Sequence, residues 1–152
     1  MSDPNCVVLV VEDDLNDRML LTHAFRRAAP HVDLRLAKDA FQAEDYLCGR
    51  GAYEDRSAHP PPLLILLDLK LPRRSGIELL RAMKDRGVGS NVPAIVLSSS
   101  QEASDIDRAY ELGARSYLVK SVDLSELLRV AEGIGAYAQL LSQASPQTAT
   151  AT

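Results

Sequence analysis

Three short runs of apolar residues interrupt a largely amphipathic chain: Val7-Val8-Leu9-Val10-Val11, Leu63-Leu64-Ile65-Leu66-Leu67 and Ala94-Ile95-Val96-Leu97. None alternates with polar positions. Continuous runs of four or five such residues suit strands buried on both faces, as in a parallel sheet sandwiched by helices. Val32 to Ala37 and Ser116 to Val119 are weaker strand candidates. Between the runs the period changes to that of a helix. Leu21, Ala24, Phe25 and Ala28 fall on one helical face, and Ala40 to Cys48 predicts a shorter helix. Ile77, Leu80 and Met83 mark a third face. Ile106, Ala109 and Tyr110 mark a fourth, which Gly113 ends as a C′ residue. Leu124, Leu127, Leu128, Ala131, Ile134 and Ala138 mark a long last helix. Ser75 with Glu78, and Asp123 with Glu126, have the spacing of helix-starting caps.

The order is strand then helix, five times. It predicts an α/β fold: a doubly wound, parallel five-stranded sheet with right-handed crossovers and helices on both faces. Residues 1–5 are expected to lead into the domain, residues 6–141 to form it, and residues 142–152, rich in Ser, Thr, Ala and Gln, to be a disordered tail. Gly49 to Pro62, ending in three prolines, is expected to be a loop.

Composition narrows the class. The 152 residues suffice for one domain with its own core. A net charge of −4 disfavours a basic nucleic-acid-binding surface, and the absence of Trp argues against a base-stacking platform. Two cysteines, Cys6 and Cys48, fit a reduced compartment rather than a disulfide framework, and their spacing suits no zinc site. No signal-peptide pattern and no membrane-spanning run is visible, so the expected setting is cytoplasmic.

In such folds ligands bind beyond the carboxyl ends of the strands. The first apolar run there meets Glu12-Asp13-Asp14, the second Asp68, the third Ser98-Ser99-Ser100, and the fifth strand Lys120. Each has a plain structural alternative: an N-cap for the acidic trio, a turn for Asp68 and the serines, a solvated charge for Lys120. Their joint placement is what points to chemistry. Carboxylates gathered at one edge repel unless a cation neutralises them, and an oxygen-only donor set without His or Cys suits Mg²⁺. A carboxylate nucleophile, a divalent cation, an ammonium and a hydroxyl together describe phosphoryl transfer to an aspartate.

The motifs VVEDD (10–14), LLDLKLPRRSG (66–76), IVLSSS (95–100) and GARSYLVKS (113–121) resemble, in residues, order and spacing, the receiver domain of two-component response regulators. The likeness covers residues 6–141. It implies a flavodoxin-like, CheY-like fold and a phosphoryl group taken onto Asp68 from a sensor histidine kinase. It implies Mg²⁺ held by Asp13, by Glu12 through water, by Asp68 and by the backbone carbonyl of Lys70. Ser98 and Lys120 would bind the transferred group, and Tyr117, otherwise an ordinary strand aromatic, would turn with activation. The family often has proline after the lysine, with a cis bond; here Ser121 follows, leaving cis and trans both open. The insertion Gly49–Pro62, VEDDLNDRMLL, LLDLKLP and KSVDLSEL further resemble single-domain regulators associated with bacterial phytochromes. That likeness implies a bacteriophytochrome kinase as partner and a homodimer through the fourth helix, fifth strand and last helix. Output would pass to a partner protein or a histidine phosphotransfer domain, with no nucleic acid or membrane. Two other classes compete: an Mg²⁺-dependent phosphatase or phosphotransferase with an aspartyl nucleophile, disfavoured by Lys70 where such enzymes carry a second acid, and a phosphorylation-independent scaffold, disfavoured by the intact acidic site.

Overall fold

A computed structural model describes residues 3–144. Five parallel strands, β1 (Asp3–Val11), β2 (Val32–Ala37), β3 (Leu64–Leu67), β4 (Ala94–Ser98) and β5 (Ser116–Val119), form one sheet in the order β2-β1-β3-β4-β5. The helices that connect and follow them are α1 (Leu15–Ala28), α2 (Ala40–Cys48), α3 (Gly76–Asp85), α4 (Ala103–Glu111) and α5 (Leu124–Gln143). The strand order reverses between β1 and β3, which places a crevice beyond their carboxyl ends.

The apolar runs are continuous because both faces are covered. Val8, Val10, Leu64, Leu66, Ile95 and Leu97 pack against Leu21 and Phe25 of α1 and Leu127, Ala131 and Ile134 of α5. Leu9, Val11, Ile65, Leu67 and Val96 face the other way, onto α2, α3 and Ala109 of α4. The period of two within each run thus feeds two separate cores.

The predicted caps hold, with one variation. Ser75 and Glu78 form a reciprocal capping box on α3. Asp123 caps α5 through the N–H of Ser125. Gly113, at φ 101°, ends α4: its N–H donates to Tyr110 and that of Ala114 to Ala109, a Schellman stop.

Two boundaries differ from expectation. β1 begins at Asp3 rather than after residue 5, because pairing with β2 extends past the apolar run across a shift in register between Asp3 and Val7. Helix α5 continues to Gln143, two residues past the expected end, while the rest of the expected tail, 145–152, lies outside the described residues. The Gly49–Pro62 loop holds a 3₁₀ turn at Gly51–Tyr53 and is tied down. The Tyr46 hydroxyl donates to the Pro60 carbonyl, Arg35 to that of Ala58, and the Tyr53 ring packs between Tyr46 and His59.

Candidate phosphoacceptor site

The crevice between β1 and β3 collects the acids. Val11 and Leu67 are paired neighbours, so Glu12 and Asp68 leave the sheet side by side. Carboxylate oxygens of Glu12, Asp13 and Asp68 all lie within 4.8 Å of one another. Glu12 and Asp68 are buried and Asp13 is exposed, which leaves one side of the cluster open to solvent. The trio at the end of β1 divides its work: Asp14 caps α1 by accepting from the Asp17 N–H, while Glu12 and Asp13 face the crevice.

Lys120 reaches in from β5. Its Nζ donates to Glu12 Oε2 at 2.8 Å, Asp68 Oδ2 at 3.0 Å and Asp17 Oδ2 at 3.0 Å. The Lys120 N–H also donates to the Ser98 carbonyl at 2.7 Å, so the ammonium and the serine are held by adjacent strand ends. Ser98 is fully buried, and its Oγ accepts from the Ser100 N–H at 3.3 Å. The Lys70 N–H donates to Asp68 Oδ1 at 3.1 Å, which bends the loop after β3 over the acid. Tyr117 is not in contact with the acids. Its hydroxyl donates to the Ser100 carbonyl at 2.8 Å, one loop away. All described peptide bonds are trans, Lys120–Ser121 included.

The charges set the chemistry. Three carboxylates, Glu12, Asp17 and Asp68, hold one ammonium, and Asp13 adds a fourth negative charge beside Glu12 and Asp68. Burial pushes the Glu12 carboxyl up to about 7, with Asp68 adding to the rise and the Lys120 and Asp14 hydrogen bonds opposing it. Burial alone would lower the Lys120 pKa, but its bonds to Glu12, Asp17 and Asp68 outweigh that and raise it above the ordinary lysine value. The ammonium is therefore permanent, and the excess negative charge is the kind a hard divalent cation relieves.

Three contributors were not foreseen. Asp17 completes the cradle of Lys120; its position, one turn into α1 from the acidic trio, was the available signal. Arg18 donates to the carbonyls of Glu12 at 3.0 Å and Asp13 at 2.8 Å, fixing the acidic loop by a contact that spacing does not reveal. Gly76 lets α3 lie against the segment that carries Asp68: a Cβ there would sit 2.8 Å from Leu69 Cα and closer still to the Asp68 carbonyl oxygen.

Fold and site together define a class: a doubly wound α/β protein that gathers carboxylates, an ammonium and a hydroxyl around one buried aspartate. The family model for the response regulator receiver domain matches residues 8–132, and the chain belongs to that family. Among relatives, Response regulator Rcp1 of Synechocystis is 34% identical over 136 residues, 90% of each chain, and the structure of its Mn²⁺-bound form superposes with a TM-score of 0.75. Response regulator RPA3017, in red light signalling of R. palustris, is 36% identical with a TM-score of 0.76, covering 84% of this chain and 90% of its own. The phosphorylated cyanobacterial phytochrome response regulator RcpA is 32% identical with a TM-score of 0.77, covering 88% and 93%. The chain is a phosphoacceptor of two-component signalling, homologous to phytochrome response regulators, and sensor kinases are its class of partner. The phosphatase and scaffold readings are not favoured. Among the described residues, no helix is long and apolar enough to cross a membrane.

Proposed function

We propose that Asp68 is the residue that accepts the phosphoryl group, and that the contact carrying this assignment is Lys120 Nζ on Asp68 Oδ2 beside the acids of β1. A carboxylate oxygen of Asp68 attacks phosphorus, the P–N bond of the kinase phosphohistidine breaks, and its electron pair returns to the imidazole nitrogen. Lys120 loses one of three carboxylate partners and pairs with a phosphoryl oxygen instead. Ser98 Oγ exchanges its contact with the Ser100 N–H for another phosphoryl oxygen. The Lys70 N–H holds Asp68 in its attacking orientation. Mg²⁺ fits the donor set of Glu12, Asp13, Asp68 and the Lys70 carbonyl, and when bound it neutralises charge on the transferring oxygens. The Mn²⁺-bound form of Rcp1 supports a divalent cation here. The chemistry is self-phosphorylation and slow self-dephosphorylation, without turnover of an external metabolite.

The partner is a sensor histidine kinase of the bacteriophytochrome type, supported by RPA3017 and RcpA. Leu15 and Met19, close in the chain to Asp14 and Asp17, and Val122 and Leu124, close to Lys120, are exposed and offer an apolar landing surface. Two copies pair through the α4–β5–α5 face, where a groove of about 670 Å³ between β5 and α5 is lined by Leu118, Val130, Ile134 and Tyr137. Output passes to a protein partner such as a histidine phosphotransfer domain, in the cytoplasm.

Intact mass after incubation with Mg²⁺ and acetyl phosphate tests the assignment. Wild type gains one phosphoryl group, EDTA abolishes the gain, and Asp68→Ala gains none. A gain in Asp68→Ala overturns it. Light scattering across a concentration series tests the pairing. A mass of 16.6 kDa at every concentration, with and without phosphodonor, refutes it.

A further inference from the structure

Helix α4 is held loosely. It buries one side chain, Ala109, where α5 buries Leu127, Ala131, Ile134, Gly135 and Ala138. Few buried apolar contacts leave an element free to shift at small cost. What fixes α4 instead is polar: Lys84 Nζ donates to the Glu111 carbonyl at 2.9 Å at its last residue, and the other contacts converge on Tyr117. At the helix's first turn, Ser100 Oγ donates to Asp105 Oδ2, and the Ser100 carbonyl accepts from the Tyr117 hydroxyl. At its last turn, the Tyr110 hydroxyl accepts from the Tyr117 backbone N–H at 3.0 Å. β5 is an edge strand, so this N–H points away from β4 and has no ladder partner there. The Schellman stop at Gly113 turns the chain back so that Tyr110 and Tyr117, seven residues apart, face each other.

We propose that Tyr110 is a positioning residue. Its hydroxyl, by clasping the Tyr117 N–H, sets the resting angle of α4 on β5 and so opposes the rearrangement that follows phosphorylation. This rests on the phosphoacceptor reading above. When Ser98 Oγ turns to the phosphoryl group, the Ser100 N–H loses its acceptor and the Ser98–Ser100 loop is free to move. Ser100 then carries the start of α4 with it through Asp105. The covalent link through Leu112–Arg115 and the Lys84 bond to Glu111 keep the helix's other end in place, so the motion is a tilt, and the Tyr110 clasp is the contact with β5 that resists it there. Removing that hydroxyl shifts the balance toward the activated arrangement by the worth of one net hydrogen bond, about two- to tenfold.

The test is Tyr110→Phe, which deletes the oxygen and keeps the half-exposed ring. Two quantities are read by NMR on the full chain: hydrogen exchange of the Tyr117 amide, and titration with beryllofluoride and Mg²⁺ as a phosphoryl mimic. The expected result is faster exchange at Tyr117, and half-saturation at a beryllofluoride concentration about two- to tenfold lower than wild type. A merely structural role would leave the titration unmoved. Unchanged exchange overturns the clasp; faster exchange with unchanged or weaker beryllofluoride binding overturns its regulatory role. Asp68→Ala separates the layers. A wild-type response equal to that of Asp68→Ala overturns the phosphoacceptor reading and the switch role with it, while Tyr117 exchange still reports on the clasp.

Discussion

Two glycines in helices make opposite predictions from the same substitution. Gly76 opens α3, and its N–H donates to the Leu69 carbonyl at 2.9 Å. A Cβ there meets the backbone of Asp68 and Leu69 rather than the end of a flexible side chain, so the Asp68–Leu69 backbone itself must shift. Overpacking of this kind costs about 1–3 kcal/mol, and at roughly 2–4 °C per kcal/mol for a domain of this size Gly76→Ala lowers Tm by about 2–12 °C. Because the displaced atoms carry Asp68 and lead to Lys70, phosphorylation by acetyl phosphate slows as well. Gly133 borders the groove between β5 and α5, and within one chain a Cβ there meets nothing within 4 Å. Gly133→Ala therefore gains helix propensity of up to about 1 kcal/mol, raising Tm by about 1–4 °C without altering the phosphorylation rate. Differential scanning calorimetry and timed intact-mass measurements read both quantities. A Gly76→Ala chain as stable and as fast as wild type refutes the steric argument, and a destabilised Gly133→Ala chain refutes its converse.

Three further outcomes follow from the charges. Glu44 is buried among Arg74, Arg50 and Arg86; burial alone would raise its carboxyl, but these arginines hold it at about 2 against an ordinary 4.5. Its folded value is depressed, so its stabilisation is present above pH 4.5 and lost as pH falls toward 2; urea unfolding of Glu44→Gln should show a shallower loss across that window. Glu12 has the opposite sign: raised to about 7, it favours the metal-free fold least when ionised. Stability in EDTA therefore falls as pH rises from 4.5 through 7, and a Glu12→Gln chain whose urea midpoint falls as steeply refutes this. Lys120→Met leaves Glu12, Asp17 and Asp68 without their ammonium. It should destabilise the metal-free chain by about 3–5 kcal/mol, since the lysine is mostly buried, and Mg²⁺ should then raise Tm more than in wild type.

The fold was legible because burial on both faces leaves an unmistakable trace: three runs such as Leu64–Leu67 admit no solvent side, and with the two weaker edge strands they alternate with helical periods in a way that permits few topologies. The acids and Lys120 were legible because the carboxyl ends of those strands must meet at one edge. The less visible contributors are those whose role is set by three-dimensional approach. Arg18 acts on two carbonyls, which no spacing rule encodes. Gly76 reads as a helix start, and its need to be glycine comes from the Asp68 carbonyl across the loop. The start of β1 was misplaced because strand pairing begins at Asp3, opposite Val32 and across a register shift, where no hydrophobic pattern marks it.

The way Lys120 is held bears on how a charge change at one aspartate could reach a distant surface. Its ammonium ties β1, α1 and β3 together through Glu12, Asp17 and Asp68, while its backbone N–H grips Ser98 at the end of β4. In the proposed reading, a new anion on Asp68 would compete for that ammonium and for the Ser98 hydroxyl at once. The two responses are coupled because the adjacent ends of β4 and β5 carry both groups. The rest of the site resists: Arg18 pins the β1 loop, and Gly76 seats α3 firmly on the Asp68 segment. On that reading the response would be directed toward the Ser98–Ser100 loop and α4 with its single buried side chain. A rigid acidic half beside a loosely packed half would then convert a local electrostatic event into movement of one face rather than a diffuse relaxation of the whole.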